Sequence, residues 1–110
     1  VITLIETKQF EGKVAKVMSA AEKDELFDFI ARNPKEGKVI SGTGGVRKLR
    51  FSIEGKGKRG GVRVIYYYYN ECNPVLLFTI FGKGEKSDLT QKEKNILYGI
   101  IGDIKKEMKP

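Results

Sequence analysis

Two hydrophobic periods divide this chain. Near the start, Ile2, Leu4 and Glu6 open an alternation that predicts a short strand. Phe10, Val14, Val17 and Met18 then recur at i, i+4, i+7 and i+8, the spacing of one face of an amphipathic helix. Ser19 followed by Glu22 has the form of a capping box, and Leu26, Phe27 and Ile30 carry a second apolar stripe as far as Asn33-Pro34, where a helix must stop. Beyond the glycines at 42, 44 and 45 the period changes to two. Leu49, Phe51 and Ile53 alternate with Lys48, Arg50 and Ser52, which predicts a strand with its apolar set on a core and its cations on the other face. Gly55 to Gly61 interrupts that strand. Val62 to Tyr69 predicts the next, Asn70 to Pro74 a turn, and Val75 to Phe81 a strand without alternation, expected at the centre of a sheet and covered on both faces. Thr90 with Glu93 forms another capping box ahead of Ile96, Leu97, Ile100, Ile101 and Ile104, a final helix running to about Glu107.

The predicted order is β-α-α-β-β-β-α, an α+β fold with a mostly antiparallel, twisted sheet. At 110 residues, 40% of them hydrophobic, the chain has the material for one core, and residues 1–110 read as a single domain. Its apolar runs fall far short of the roughly 20 residues a spanning helix needs, and no signal peptide is visible, so the expectation is a soluble, cytoplasmic protein with no membrane association. The single cysteine, Cys72, forms no intrachain disulfide, which suits a reducing compartment.

Charge narrows the choice of partner. Between Val46 and Arg63 stand seven cations, Arg47, Lys48, Arg50, Lys56, Lys58, Arg59 and Arg63, against one carboxylate, Glu54. That segment accounts for nearly all of the net +7, and a charge concentrated in this way is built to meet a polyanion, with nucleic acid the first expectation. The chain has no histidine, which removes the usual imidazole acid and base and leaves no His/Cys cluster for zinc. Neither a metal nor a cofactor is expected. Any proton transfer falls to Lys, Arg, Tyr or a carboxylate.

Several residues are candidates for chemistry, each with a plainer role beside it. Lys48 and Arg50, two apart on a strand, leave the same face about 7 Å apart, near the spacing of successive phosphates; they would equally solvate an exposed sheet. The loop Gly55-Lys-Gly-Lys-Arg-Gly-Gly61 offers backbone N–H groups and the cations Lys56, Lys58 and Arg59 to an anion, or is simply a soluble hairpin loop. It does not fit the nucleotide-binding pattern GxxxxGK[ST]. Arg63 sits early in an apolar strand, where partial desolvation makes it seek an anion, either a substrate or a carboxylate such as Glu54 or Glu85. Tyr66 to Tyr69 alternate in direction, so at least two of them belong in or near the core and the others are open to base stacking. Lys83 and Lys86 follow the last strand, and Thr90 reads as a helix cap.

Three segments together resemble a known family. Gly42-Thr-Gly-Gly-Val-Arg-Lys48-Leu-Arg50, Gly55-Lys-Gly-Lys-Arg-Gly-Gly-Val-Arg63-Val-Ile-Tyr66-Tyr and Leu77-Phe-Thr-Ile-Phe-Gly-Lys83-Gly-Glu-Lys86-Ser-Asp-Leu-Thr90 are similar to the RelE/ParE toxin superfamily of type II toxin-antitoxin systems, closest to its HigB-like RelE toxins. The resemblance implies a metal-independent endoribonuclease that enters the ribosomal A site and cuts mRNA there, by attack of a ribose 2′-OH on the adjacent phosphate. The family's paired basic residues fall on Lys48 and Arg50, and its G-x-R-x-x-Y arginine on Arg63. Its last arginine is replaced by Gly84, leaving Lys83 or Lys86 to substitute, and its C-terminal tyrosine aligns with Thr90. Crowding of Lys48 by neighbouring cations would favour its neutral amine as a base, while Arg47, Lys56, Lys58 and Arg59 would dock RNA. The implied partners are the ribosome with its mRNA and a cognate antitoxin, usually a helix-turn-helix protein, through which alone DNA would be met. The superfamily's other branch, non-enzymatic ParE-like inhibitors of gyrase, is the alternative, and a non-toxic RNA-binding module is a third reading.

Overall fold

The computed structural model describes residues 2–52, 61–82, 84–86 and 88–110. Among these the chain runs β1 (Leu4–Glu6), α1 (Lys8–Val17), α2 (Ala20–Arg32), β2 (Lys38–Val39), β3 (Arg47–Phe51), β4 (Val62–Tyr67), β5 (Val75–Gly82) and α3 (Gln91–Lys105). The strands form one open sheet in the order β1-β5-β4-β3-β2. β1 pairs parallel with β5 and every other pair is antiparallel, so the class is α+β with a mixed, mostly antiparallel sheet.

The predicted helix signals are used as such. Ser19 Oγ accepts the Glu22 N–H while Glu22 Oε1 accepts the Ser19 N–H, and Thr90 and Glu93 repeat the arrangement at the start of α3. Asn33 closes α2 ahead of Pro34. None of the helices among the described residues is long and apolar enough to cross a membrane.

The strands depart from expectation in three places. β2 is an additional strand of two exposed residues, Lys38 opposite Lys48 and Val39 opposite Arg47, too short to leave a periodic signal. β4, all six residues of which are buried, takes the middle of the sheet instead of β5; β5 lies one place off centre, between β4 and β1. β4 also ends at Tyr67, because the last pair is Tyr67 with Leu76 and the chain then enters the turn where Asn70 Oδ1 accepts the Cys72 N–H. Ile53, expected in β3, lies outside the described residues.

Both sheet faces are covered, by different helices. On one face Phe10, Val14, Leu26 and Ile30 of α1 and α2 pack with Leu49, Val64, Tyr66 and Leu77. On the other, Leu97 and Ile101 of α3 pack with Val46, Ile65, Tyr67 and Phe81. Each fully buried Phe or Leu here contributes about 1.5–3 kcal/mol, so the three layers hold the sheet as a rigid platform. Gly61 feeds the chain into β4 with φ +50°, and a Cβ there would collide with the carbonyl oxygen of Phe51. Only glycine allows β4 to enter that close beside β3.

Candidate functional site

Register decides which cations meet. Arg50 stands directly opposite Arg63, and Arg63 opposite Phe81, forming one row across β3, β4 and β5. Residues opposed in antiparallel strands share a face with Cβ atoms about 4.5–5.5 Å apart. Lys48, one pair along, is opposite Ile65. Since Ile65 and Phe81 belong to the core beneath α3, all three cations lie on the α3 face, at the end of the sheet from which the chain leaves β5 for that helix.

The segment between β5 and α3 closes this end. Lys86 Nζ sits 5.4 Å above the Phe81 ring and donates to both carboxylate oxygens of Glu93, at 2.8 and 2.9 Å. Lys48 Nζ is 3.4 Å from Asp88 Oδ2. The result is a cluster of four cations, Lys48, Arg50, Arg63 and Lys86, against the carboxylates Asp88 and Glu93. The hydrogen bond from Lys86, with that from the Thr90 N–H, holds Glu93 below the usual carboxylate range. For Asp88, partial burial works to raise the carboxyl, but the Leu89 N–H and the Lys48 charge outweigh it and the net shift is downward. Both stay ionised at neutral pH.

The cations differ in setting. Arg63 is only 7% exposed, whereas Arg50 is exposed and the Lys48 side chain is partly covered. A guanidinium buried on a sheet face carries a desolvation cost that hydrogen bonds and opposite charge offset. Of the carboxylates considered for it, Glu85 pairs with Lys13 at 3.0 Å, and Glu54 lies outside the described residues.

Of the residues expected from sequence, Lys48, Arg50, Arg63 and Lys86 come together. Arg47 does not. It pairs with Tyr66, on the α1/α2 face, and its Nη1 donates to the carbonyls of Lys35 and Gly37 at 3.1 and 2.7 Å, so its guanidinium braces the connection from α2 to β2. Lys83, Lys56, Lys58 and Arg59 lie outside the described residues. Thr90 is the N-cap of α3, as read from sequence. The tyrosines split as alternation demands: Tyr66 and Tyr67 are buried on opposite faces, and the more exposed Tyr69 stacks on Tyr67.

Two carboxylates of the cluster were missed by sequence reasoning. Glu93 was visible only as a capping residue; that it also receives Lys86 depends on the turn between β5 and α3. Asp88 carried no signal, since its partner Lys48 comes from a different element. Its presence also changes the electrostatics expected of Lys48, whose surroundings are an opposite charge as well as like ones.

Two concavities flank the cluster. The larger, about 490 Å³, runs between α3 and β5 and is apolar, lined by Leu76, Phe78, Ile96 and Ile100 with Glu93 at its margin. The other, about 450 Å³, opens at the β2–β3 edge and is lined by Phe29, Glu36, Lys38, Lys48, Leu49 and Arg50. Among the described residues no group of three His, Cys, Asp or Glu side chains is placed to hold a metal ion. Chemically, the cluster can grip phosphate and neutralise charge developing on it, and Lys48 or Lys86 can carry a proton. No known family model matches the chain.

Proposed function

We propose that this chain is the toxin of a type II toxin-antitoxin system, a ribosome-dependent mRNA endonuclease, with Lys48, Arg50, Arg63 and Lys86 as its working cations. The observation that carries the reading is the cross-strand row in which Arg50 faces Arg63, flanked by Lys48 on the same face and by Lys86 above Phe81. These are the described residues on which the resemblance to RelE-like toxins places the catalytic cations, drawn from three separate segments of sequence.

In the reaction, the 2′-oxygen bonds to the adjacent phosphorus as the bond to the 5′-oxygen breaks, leaving a 2′,3′-cyclic phosphate and a free 5′-OH. The 2′-OH proton leaves to a base and the departing 5′-oxygen takes one up. Arg63 and Arg50 meet the non-bridging oxygens as negative charge builds on the pentavalent phosphorus, a contribution of about 3–4 kcal/mol when one such donor is removed elsewhere. Lys48, fixed by Asp88, and Lys86, fixed by Glu93, flank the phosphate as its proton-carrying groups. The ribosome supplies the in-line alignment of the 2′-OH, which a site without histidine most needs. A cognate antitoxin restrains the toxin, and DNA is reached only through that complex.

Primer extension on a reporter mRNA in a purified translation reaction tests this. New 5′ ends that need both ribosomes and Arg63 are expected, with Arg63→Ala losing at least about a hundredfold in cleavage rate while its circular dichroism matches the wild type. A fully active Arg63→Ala, or no cuts by the wild type, would sink the assignment; DNA damage signalling without RNA fragments would point to gyrase.

A further inference from the structure

The cleft at the β2–β3 edge shares Lys48 and Arg50 with the cation cluster and adds a lining of its own. β2 pairs with Arg47 and Lys48, and among the described residues no strand pairs with β3 from Leu49 to Phe51 on that side. Beside it lies a hollow of about 450 Å³, within the size range of small-ligand sites. Its floor is apolar: Leu49 is 4% exposed, and the half-buried Phe29 is fixed by its ring contact with Phe51, 5.8 Å between centroids. Among the described residues Lys38, Lys48 and Arg50 stand around it with Glu36, and Lys48 is paired to Asp88 at 3.4 Å.

We propose that this cleft is a nucleotide subsite, which takes a base against Phe29 and Leu49 and the attached phosphate between Lys38 and Arg50. The proposal rests on the reading of the α3 face as the place where RNA is cut. Lys48 and Arg50 belong to both places, lining the cleft and lying on the catalytic face. A strand whose scissile phosphate lies at Arg63 therefore continues over the edge of β3, and its next nucleotide arrives at the cleft. With Asp88 paired to Lys48, the described residues set three cations against two carboxylates, still the sign a phosphate requires, and an aromatic edge over an aliphatic floor accepts any base, giving affinity without sequence choice. Lys38 is the specific element of this subsite: it is exposed, it comes from β2, and the catalytic row does not use it.

The test is fluorescence anisotropy with labelled 2′-O-methyl oligoribonucleotides, which bind but are not cut, in two lengths: a dinucleotide and a hexamer. Wild type, Lys38→Glu and Glu36→Gln are compared over a range of salt. Lys38→Glu is expected to weaken hexamer binding about tenfold, leave the dinucleotide nearly unchanged, and lower the salt slope by about 0.7, the loss of one phosphate contact on a single strand. Glu36→Gln is expected to tighten hexamer binding severalfold. Both positions are exposed, and unchanged melting curves confirm the fold. Hexamer binding that is equal in wild type and Lys38→Glu, or absent from the wild type, overturns the subsite. The cleavage assay judges the nuclease reading separately: a wild type that cuts but shows no Lys38 effect loses the subsite alone, whereas one that binds as expected but never cuts loses the nuclease and keeps a binding cleft.

Discussion

Tyr66→Phe removes a single oxygen from the centre of the molecule, and the structure sets what that costs. The ring is fully buried in β4, and phenylalanine fills the same space. Its hydroxyl accepts the Gly37 N–H at 2.9 Å and donates to the Pro34 carbonyl at 2.8 Å, fastening the exit of α2 to the sheet. Gly37 is itself buried and packs against the ring so closely that a Cβ would lie 2.8 Å from the hydroxyl. No water replaces the lost oxygen in such a space. Stranding the Gly37 N–H costs about 1–3 kcal/mol and the lost donation about 1, less what is regained by no longer burying the hydroxyl, for a net of about 2 kcal/mol. At about 2 cal/mol/K per residue, a chain of this length should then melt roughly 9 °C lower. Urea denaturation followed by circular dichroism measures the free energy, and a thermal scan the shift. A second readout comes from alkaline titration. Burial is the main influence on Tyr66 and raises its pKa above the ordinary 10.0, outweighing the lowering effects of the Gly37 hydrogen bond and Arg47. The unfolded chain therefore loses this proton first, so the contribution is intact below pH 10.0 and is lost as pH rises past it. The wild type should weaken in that range more steeply than the variant; Tyr67, raised in the same direction by burial, leaves a remainder in both. A destabilisation under about 0.5 kcal/mol, within the spread of neutral surface changes, would refute the claim that this hydroxyl ties α2 to the sheet.

At the acid end the sign reverses. Asp88 and Glu93 have folded-state values below 3.8 and 4.5, so the stability they contribute is present above those values and fades as pH falls through them; Glu93→Gln should flatten the acid limb of a urea-midpoint profile, and an unchanged limb would count against the Lys86–Glu93 pair. Gly61→Ala should cost more than about 2 kcal/mol, because left-handed backbone and a collision with the Phe51 carbonyl act together. A urea midpoint within error of the wild type would show that β3 and β4 can part at that point.

How far the sequence revealed this site turns on parity. Lys48 and Arg50 differ by two and Arg47 by one from its neighbour, so the alternation that puts Leu49 in the core also separates Arg47 from the other two. The period was legible, yet net charge alone grouped all three. Arg63 could be seen as a cation in an apolar strand, but its position opposite Arg50 depends on where β4 starts, and Gly61 fixes that start only once β3 is in place. The caps at Ser19 and Thr90 were legible because their partners are three residues away. Asp88 was not, since chain folding brings Lys48 to it. β2 was missed because two residues cannot show a period; what defines it is pairing with Lys48 and Arg47, together with the Thr43 turn, where Oγ1 donates to the Ile40 carbonyl and accepts the Val46 N–H.

The parallel pairing of β1 with β5 has a consequence for how the chain is made. β1, α1 and α2 are synthesised first, but Leu4 pairs with Val75, and Thr7 donates to the carbonyls of Leu77 and Phe78. Phe10, Leu26 and Ile30 find their partners on strands made later. The hairpins from β2 to β5 close over shorter separations and can form before β1 docks. A nascent chain that stops before β5 therefore leaves its two helices without Val75, Leu77 and Ile80 of their core and leaves β1 without its partner strand. The last strand to leave the exit tunnel is the one that lets the first join the sheet.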